Sequence, residues 1–222
     1  MLPTEFSSEI YWSDIYQKPL DFWLPVVDTL SRKNGLGDGW ERACLGRNVV
    51  LLNANYALKL GPPCWPGDMD SEAIVLPWIA GKLAVETPEM LGSGSIEGWN
   101  YIIQRRLSGQ NLYELWTTLT KEQRVDLAFQ HGEILQALHN LPCDTLAGSA
   151  VEFDWTNMYA EQMKVCRKEM AGRGIHPGLV EDAERYLDDA APLLGDDGKR
   201  VLLHGDLTHL NLLVRESGKG WQ

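Results

Sequence analysis

The sequence predicts an α+β protein in two parts: a five-stranded antiparallel sheet with a helix, followed by a mainly helical region. Three observations carry this expectation. Short apolar runs rich in β-favouring residues, separated by turn residues, fill most of the chain as far as Leu107. From Asn111 onward, apolar residues recur at helical spacing. Between the two textures, Ser108 to Gln110 belongs to neither, which sets the expected domains at 1–107 and 108–222.

The elements follow in order. Asp21 to Lys33 has helical spacing and is stopped by the cluster Gly35, Gly37 and Gly39, read as a turn. Ala43 to Leu45, Val49 to Leu52 and Tyr56 to Leu60 read as three strands, with Asn53-Ala-Asn55 turning the chain between the second and third. Met69 to Lys82 reads as a helix opened by Asp68 or Asp70 as cap, with Pro77 disturbing its middle. Glu89 to Ser95 and Trp99 to Leu107 resume the strand pattern, with Gly92 to Ser95 and Glu97-Gly98 read as turns. Helices are expected over Leu112 to Leu119, Lys121 to Asn140 with Thr120 as cap, Trp155 to Gly172, and Pro177 to Leu194. Two short strands, Arg200 to Leu203 and Leu212 to Arg215, frame a polar stretch near the C-terminus.

Composition excludes several classes. A net charge of −11 does not suit a surface built for nucleic acid, whose affinity comes from clustered Lys and Arg. It accommodates a cationic partner more readily, although an acidic balance also serves solubility alone. No apolar window is long enough to span a membrane, and the N-terminus lacks the features of a signal peptide, so a cytoplasmic location is expected. Cys44, Cys64, Cys143 and Cys166 show no metal-site or disulfide spacing and are read as reduced thiols.

The strongest chemical signal is His204-Gly-Asp-Leu-Thr-His-Leu-Asn211, set between the apolar runs 201–203 and 212–214. Phosphoryl transfer needs a carboxylate that accepts or orients the proton of the attacking hydroxyl, and an Asn further along the same loop that holds a metal ion on the nucleotide phosphates. Asp206 and Asn211 have the residue types and the spacing for these two roles. His204 is expected to brace the loop. A turn between strands also favours His, Asp and Asn, but the whole octet in an apolar frame goes beyond turn chemistry.

HGDLTHLNLLV resembles the catalytic segment of aminoglycoside phosphotransferases and their choline-kinase-like relatives, with Gly205 where protein kinases carry an Arg. The resemblance implies a protein-kinase-like two-lobe fold whose C-terminal lobe is incomplete here. It covers nearly the whole chain and implies a role for several further residues. Lys59, on the third strand, resembles the lysine that pairs the α- and β-phosphates, with Glu72 as the glutamate that holds it; taken alone, such a lysine also fits a solvated strand edge. Gly46, Arg47 and Asn48 stand where the family's nucleotide-covering loop lies, although any short hairpin could read this way. Gln104, Arg105, Arg106 and Leu107 resemble the linker that meets the adenine edge, and His139 is expected to pack or hydrogen-bond. Most of the nine tryptophans are read as core and lobe-interface anchors.

The implied cofactors are ATP or GTP with Mg²⁺, and the implied partner is a small polar, cationic acceptor: an aminoglycoside, a hygromycin-like antibiotic, a choline-like alcohol or a sugar. Asp154 and Glu161 are candidate contacts for such a cation, although a solvated helix face explains them as well. The family's second metal-binding Asp and later helices would follow Trp221, beyond this sequence. A non-catalytic nucleotide-binding protein or an inactive fragment is the alternative expectation.

Overall fold

Alternation along the strands builds a sheet with two different faces. The computed structural model describes all residues except 44, 45, 191, 193–199 and 219. Strands β1 (Glu41–Ala43), β2 (Val49–Leu52), β3 (Tyr56–Gly61), β4 (Met90–Ile96) and β5 (Trp99–Arg105) form one antiparallel sheet in the order β1-β2-β3-β5-β4. Val49, Leu51, Leu58, Leu60, Tyr101 and Ile103 point to one side, where they are buried in a single apolar cluster. The N-terminal elements supply the opposing surface: a short helix α1 (Ser8–Ile10), a wide turn over Tyr11–Ile15, and helix α2 (Leu20–Asn34). Trp23, Val26, Val27 and Leu30 of α2 join the cluster, and Trp23 meets Trp99 edge to face at 5.3 Å. Helix α2 ends on Gly35, whose left-handed φ of 66° closes the helix at no Cβ cost. The segment α1 and the following turn had no counterpart among the expected elements.

Turn chemistry holds the register. The buried Asn53 accepts from the Asn55 and Tyr56 backbone N–H groups through Oδ1 and donates through Nδ2 to Leu36 O at 2.9 Å. Glu97 and Gly98, both at positive φ, join β4 to β5 as a two-residue hairpin turn. Gly92 to Ser95, expected as a turn, instead lies within β4, because the ladder to β5 outweighs the weak strand preference of Gly and Ser. At Gly94 the small residue is required: an added Cβ would lie 2.9 Å from the Tyr101 hydroxyl.

Helix α3 (Asp70–Ile79) contains Pro77, as expected, but its cap is Met69, with no side-chain hydrogen bond. Asp68 does not cap it, because its carboxylate pairs with Arg47. Strand β6 (Gln110–Asn111) leads into α4 (Leu112–Leu115), which is shorter than the expected 112–119. Isolated turn bonds follow, and Thr120 opens the next helix. That helix, α5 (Lys121–His139), starts with a reciprocal capping box between Thr120 and Gln123. Leu112, Leu119, Leu127 and Val214 form a second buried cluster.

The chain forms two compact units, residues 1–142 with 202–222, and residues 143–201. In the second unit, α6 (Trp155–Gly172) packs on α7 (Pro177–Ala190), and the Tyr159 hydroxyl donates to Leu187 O. The expected extension of this last helix toward Leu194 reaches residues outside the description. Residues 200–203 are not a strand: an apolar run becomes one only when a ladder partner is present, and Leu202 is buried without one. After the octet His204 to Asn211 come β7 (Leu213–Val214), β8 (Glu216–Ser217) and β9 (Gly220–Trp221); β7 pairs with β6, and β8 with β9.

Cys64, Cys143 and Cys166 are free thiols, and Cys44 lies outside the described residues. Trp23, Trp40 and Trp99 are buried as anchors, whereas Trp12, Trp116 and Trp155 are exposed, the last at 57%. Among the described residues no helix is long and apolar enough to cross a membrane.

Candidate active site

The face of the sheet opposite the aromatic cluster carries the polar chemistry. Lys59 lies directly across from Val50 and Ile102, and Ala57 from Leu52 and Gln104, so alternation places Ala57, Lys59, Ile102 and Gln104 on this face. Helix α3 brings Glu72 to it. Glu72 Oε1 accepts from Lys59 Nζ at 2.5 Å and from Gln104 Nε2 at 2.5 Å. Lys59 and Glu72 keep about a quarter of their side-chain surface, at 27% and 25%, open to solvent. Gln104, at 3%, is one of the few buried polar residues. Ala57, half-buried, is the smallest side chain in this group.

The pair Lys59 and Glu72 therefore meets as the family resemblance implies, and Gln104, near the end of β5, has its amide on the ion pair. The sequence does hold a signal for this: Gln104 is the polar residue that follows Tyr101-Ile-Ile103 in an otherwise buried run. Arg105 and Arg106 are turned to the protein. Arg105 Nε donates to Glu89 at 2.7 Å, and Arg106 Nη1 donates to Asn53 O at 2.8 Å and to Glu41 at 3.1 Å. Leu107 follows outside any strand, half-buried.

The loop between β1 and β2 contains Gly46 at φ 108°, Arg47 and Asn48. Arg47 is drawn toward the turn ahead of α3, where its guanidinium pairs with Asp68 and lies 5.3 Å from the Trp65 ring. The Tyr11 hydroxyl donates to Arg47 O at 2.6 Å. Burial pushes this phenol well above its ordinary pKa, with Tyr16 adding to the shift, so the hydroxyl remains a donor at all physiological pH. Asn48 Oδ1 is buried without a hydrogen-bond partner.

The octet folds into a self-bonded loop. Gly205 turns the chain at φ 79°, a conformation that disfavours any side chain. Asn211 Nδ2 donates to Asp206 O at 2.8 Å and to Asp206 Oδ2 at 2.9 Å, so the two residues singled out from the sequence meet. Thr208 N donates to Asp206 O, and His204 Nδ1 accepts from Asp206 N at 3.3 Å. His204 keeps part of its surface exposed, yet crowding by the loop pushes its imidazole pKa below the ordinary value, partly offset by Asp206. The loop is anchored from outside as well. Asn111 Nδ2 donates to Leu210 O at 2.8 Å, His209 lies 5.2 Å from the Tyr113 ring, and Arg215 reaches both Glu86 and Ser108 at 3.1 Å.

The described residues thus carry a lysine–glutamate pair on the sheet and an Asp–Asn pair in the C-terminal loop. The model of the phosphotransferase enzyme family called APH matches residues 45–221. The chain belongs to this phosphotransferase family. Its fold is that of solved aminoglycoside phosphotransferases. The streptomycin–ATP ternary complex of APH(2")-IIa aligns with a TM-score of 0.55 at 14% identity, over 76% of this chain and 56% of that one. ADP-bound APH(2'')-Ib gives 0.55 at 15%, over 76% and 59%, and aminoglycoside-3'-phosphotransferase of type VIII gives 0.52 at 20%, over 85% and 71%. The chain thus spans under three-fifths of the first two phosphotransferases. No curated protein sequence matches.

Asp154 and Glu161, the candidate contacts for a cation, stand in the second unit. Asp154 caps α6 by accepting from Asn157 N at 2.8 Å, and Glu161 pairs with Lys164. A groove of about 350 Å³ along α5, lined by Lys121, Glu122, Val125, Asp126 and Phe129, includes none of the site residues.

Proposed function

We propose that this chain carries the nucleotide-binding and catalytic-loop portion of a kinase that moves the γ-phosphate of ATP or GTP to a hydroxyl of a small, polar, cationic acceptor. The observation that carries the reading is the pairing of two separate constellations. Lys59 is held by Glu72 on the face of the sheet opposite the aromatic cluster, and Asp206 is held by Asn211 in one loop. An expected lobe division at 107/108 would place the nucleotide between them. The solved relatives support a nucleotide and a cationic acceptor, since one was crystallised with ATP and streptomycin and another with ADP. The acidic net charge of −11 supports the same acceptor class and a surface not built for nucleic acid.

The residues fit the cofactors. Lys59 offers a cation whose head group is fixed by Glu72, which suits the α- and β-phosphates. With Nδ2 of Asn211 engaged by Asp206, its Oδ1 is a hard oxygen donor, matching Mg²⁺, which takes few protein ligands and completes its shell with phosphate oxygens and water. Magnesium bound there would offset charge on the phosphates. Asp206 is the base: it accepts or orients the proton of the acceptor hydroxyl, and its geometry is set by Asn211, the His204 contact and the Gly205 turn. Gly46, Arg47 and Asn48 cover the phosphates, with Arg47 released from Asp68 as a second cation for them. Arg105, Arg106 and Leu107 contribute backbone to the base edge.

The test uses Asp206→Ala. Nucleotide affinity measured by calorimetry with Mg²⁺ should stay within about threefold of wild type, while transfer of labelled phosphate to a panel of aminoglycosides, amino alcohols and sugars should fall at least ~100-fold. Unchanged turnover in the variant refutes the assignment. Nucleotide binding by the wild type with no transfer to any acceptor identifies the non-catalytic alternative instead.

A further inference from the structure

Asn111 closes β6 and opens α4, and its side chain does more than that place in the fold requires. Its Oδ1 accepts from Tyr113 N at 2.9 Å, the ordinary bond of a helix cap. Its Nδ2 donates to Leu210 O at 2.8 Å, across 99 positions of sequence. Both partners are backbone groups of fixed polarity, so the amide has one orientation only. Asp and Ser cap a helix about as well as Asn, but Asp has no donor and the Ser hydroxyl lacks the reach of the amide. Leu210 O belongs to the peptide unit that delivers Asn211. That unit is planar, so holding it at both edges fixes the plane from which the Asn211 side chain leaves. One edge, the Asn211 N–H, donates to Thr208 O at 3.0 Å, and the other, Leu210 O, is received by Asn111. Leu212 O in turn accepts from Leu112 N at 2.9 Å, so two adjacent residues grip the chain on both sides of Asn211.

Resting on the phosphoryl-transfer reading above, we propose that Asn111 is a positioning residue for the octet: by holding Leu210 O it aims Asn211, keeping Asn211 Nδ2 on Asp206 and leaving Oδ1 free for the metal. The effect passes to Asp206, because Asn211 Nδ2 is bonded to both its carbonyl and its carboxylate. If Asn111 were only the cap of α4, any other good cap would restore every property. As a positioning residue, it leaves the helix intact when another cap replaces it, while the loop loosens.

The experiment compares the full chain with Asn111→Ser and Asn111→Asp, which keep a capping oxygen and lose the Nδ2 donor. A urea midpoint above that of Asn111→Ala, which loses the cap as well, shows that the helix start is preserved. Hydrogen exchange at the Asn211 amide, followed without metal or nucleotide, should quicken at least ~5-fold in both variants, the size of one lost hydrogen bond. In calorimetric titrations with ATP over a Mg²⁺ series, the Mg²⁺ concentration that gives half the gain in ATP affinity should rise at least ~5-fold in Asn111→Ser, on the same reasoning. Wild-type exchange or a wild-type Mg²⁺ response in that variant overturns the proposal and leaves the nucleotide reading standing. Failure of the wild type to bind ATP, or binding that ignores Mg²⁺, overturns the underlying reading, and the ligand-free exchange rates still decide whether Asn111 holds the loop. Failure of both capped variants to fold would make this bond a prop of the whole fold and overturn the positioning role.

Discussion

Glu72→Ala separates the two bonds that converge on Glu72 Oε1, and their relative strength follows from exposure. Lys59 keeps 27% of its side chain in solvent and can rehydrate when the carboxylate is lost, whereas Gln104, at 3%, cannot. A hydrogen bond to a charged acceptor is worth about 1.5–3 kcal/mol when water cannot replace it. An ion pair with access to solvent returns only about 0.2–1 kcal/mol. Glu72→Ala should therefore cost about 2–4 kcal/mol of unfolding free energy, with the larger share arising from the stranded amide. Double-mutant cycles in urea should give a coupling of about 2 kcal/mol between Glu72→Ala and Gln104→Leu, and under about 1 kcal/mol between Glu72→Ala and Lys59→Met. A Lys59 coupling larger than that of Gln104, or additive behaviour in both cycles, would refute the argument from exposure.

Other outcomes can be checked on the same protein. Tyr11→Phe keeps the aromatic packing but leaves Arg47 O without its donor; it should lower stability by about 1–2 kcal/mol in urea. It should also weaken nucleotide binding if the loop at Gly46 covers phosphates. Thr120→Ala removes the cap of α5 and should cost about 1 kcal/mol, visible as a lower urea midpoint at unchanged m. His131 on α5 has its pKa pushed below the ordinary 6.5 by burial, so the unfolded chain binds its proton first as pH falls. Stability should be full above 6.5 and decline as pH drops from there through the lower folded value, and His131→Gln should flatten that part of the profile.

The site was most legible where chemistry restricts residue type over a short span. Asp206 and Asn211 are close in sequence, and their contact follows from one loop. Lys59 and Glu72 are further apart, yet strand and helix patterns place each correctly. Gln104 shows where sequence reading stops: its partner depends on the register of β3 against β5 and on where α3 crosses them, and neither is local. The same reason explains the misread elements. Gly92 to Ser95 has turn composition, and only pairing with β5 makes it a strand. The apolar run at 200–203 has strand composition and no ladder. Asp68 has the chemistry of a helix cap, and a cation distant in sequence, Arg47, takes it.

Strand β4 carries a further consequence, for how molecules of this protein avoid one another. It forms an edge of the five-stranded sheet, so one side of its backbone could pair with a neighbouring chain. Its central residues are Gly92-Ser-Gly94-Ser95, without a β-branched side chain among them, and the register shifts between Met90 and Gly92. An irregular strand with small side chains offers a foreign strand few contacts and an interrupted set of hydrogen bonds. The glycine that admits the Tyr101 hydroxyl therefore also protects the edge, and enriching 92–95 in valine or threonine for strand propensity would trade solubility for local order.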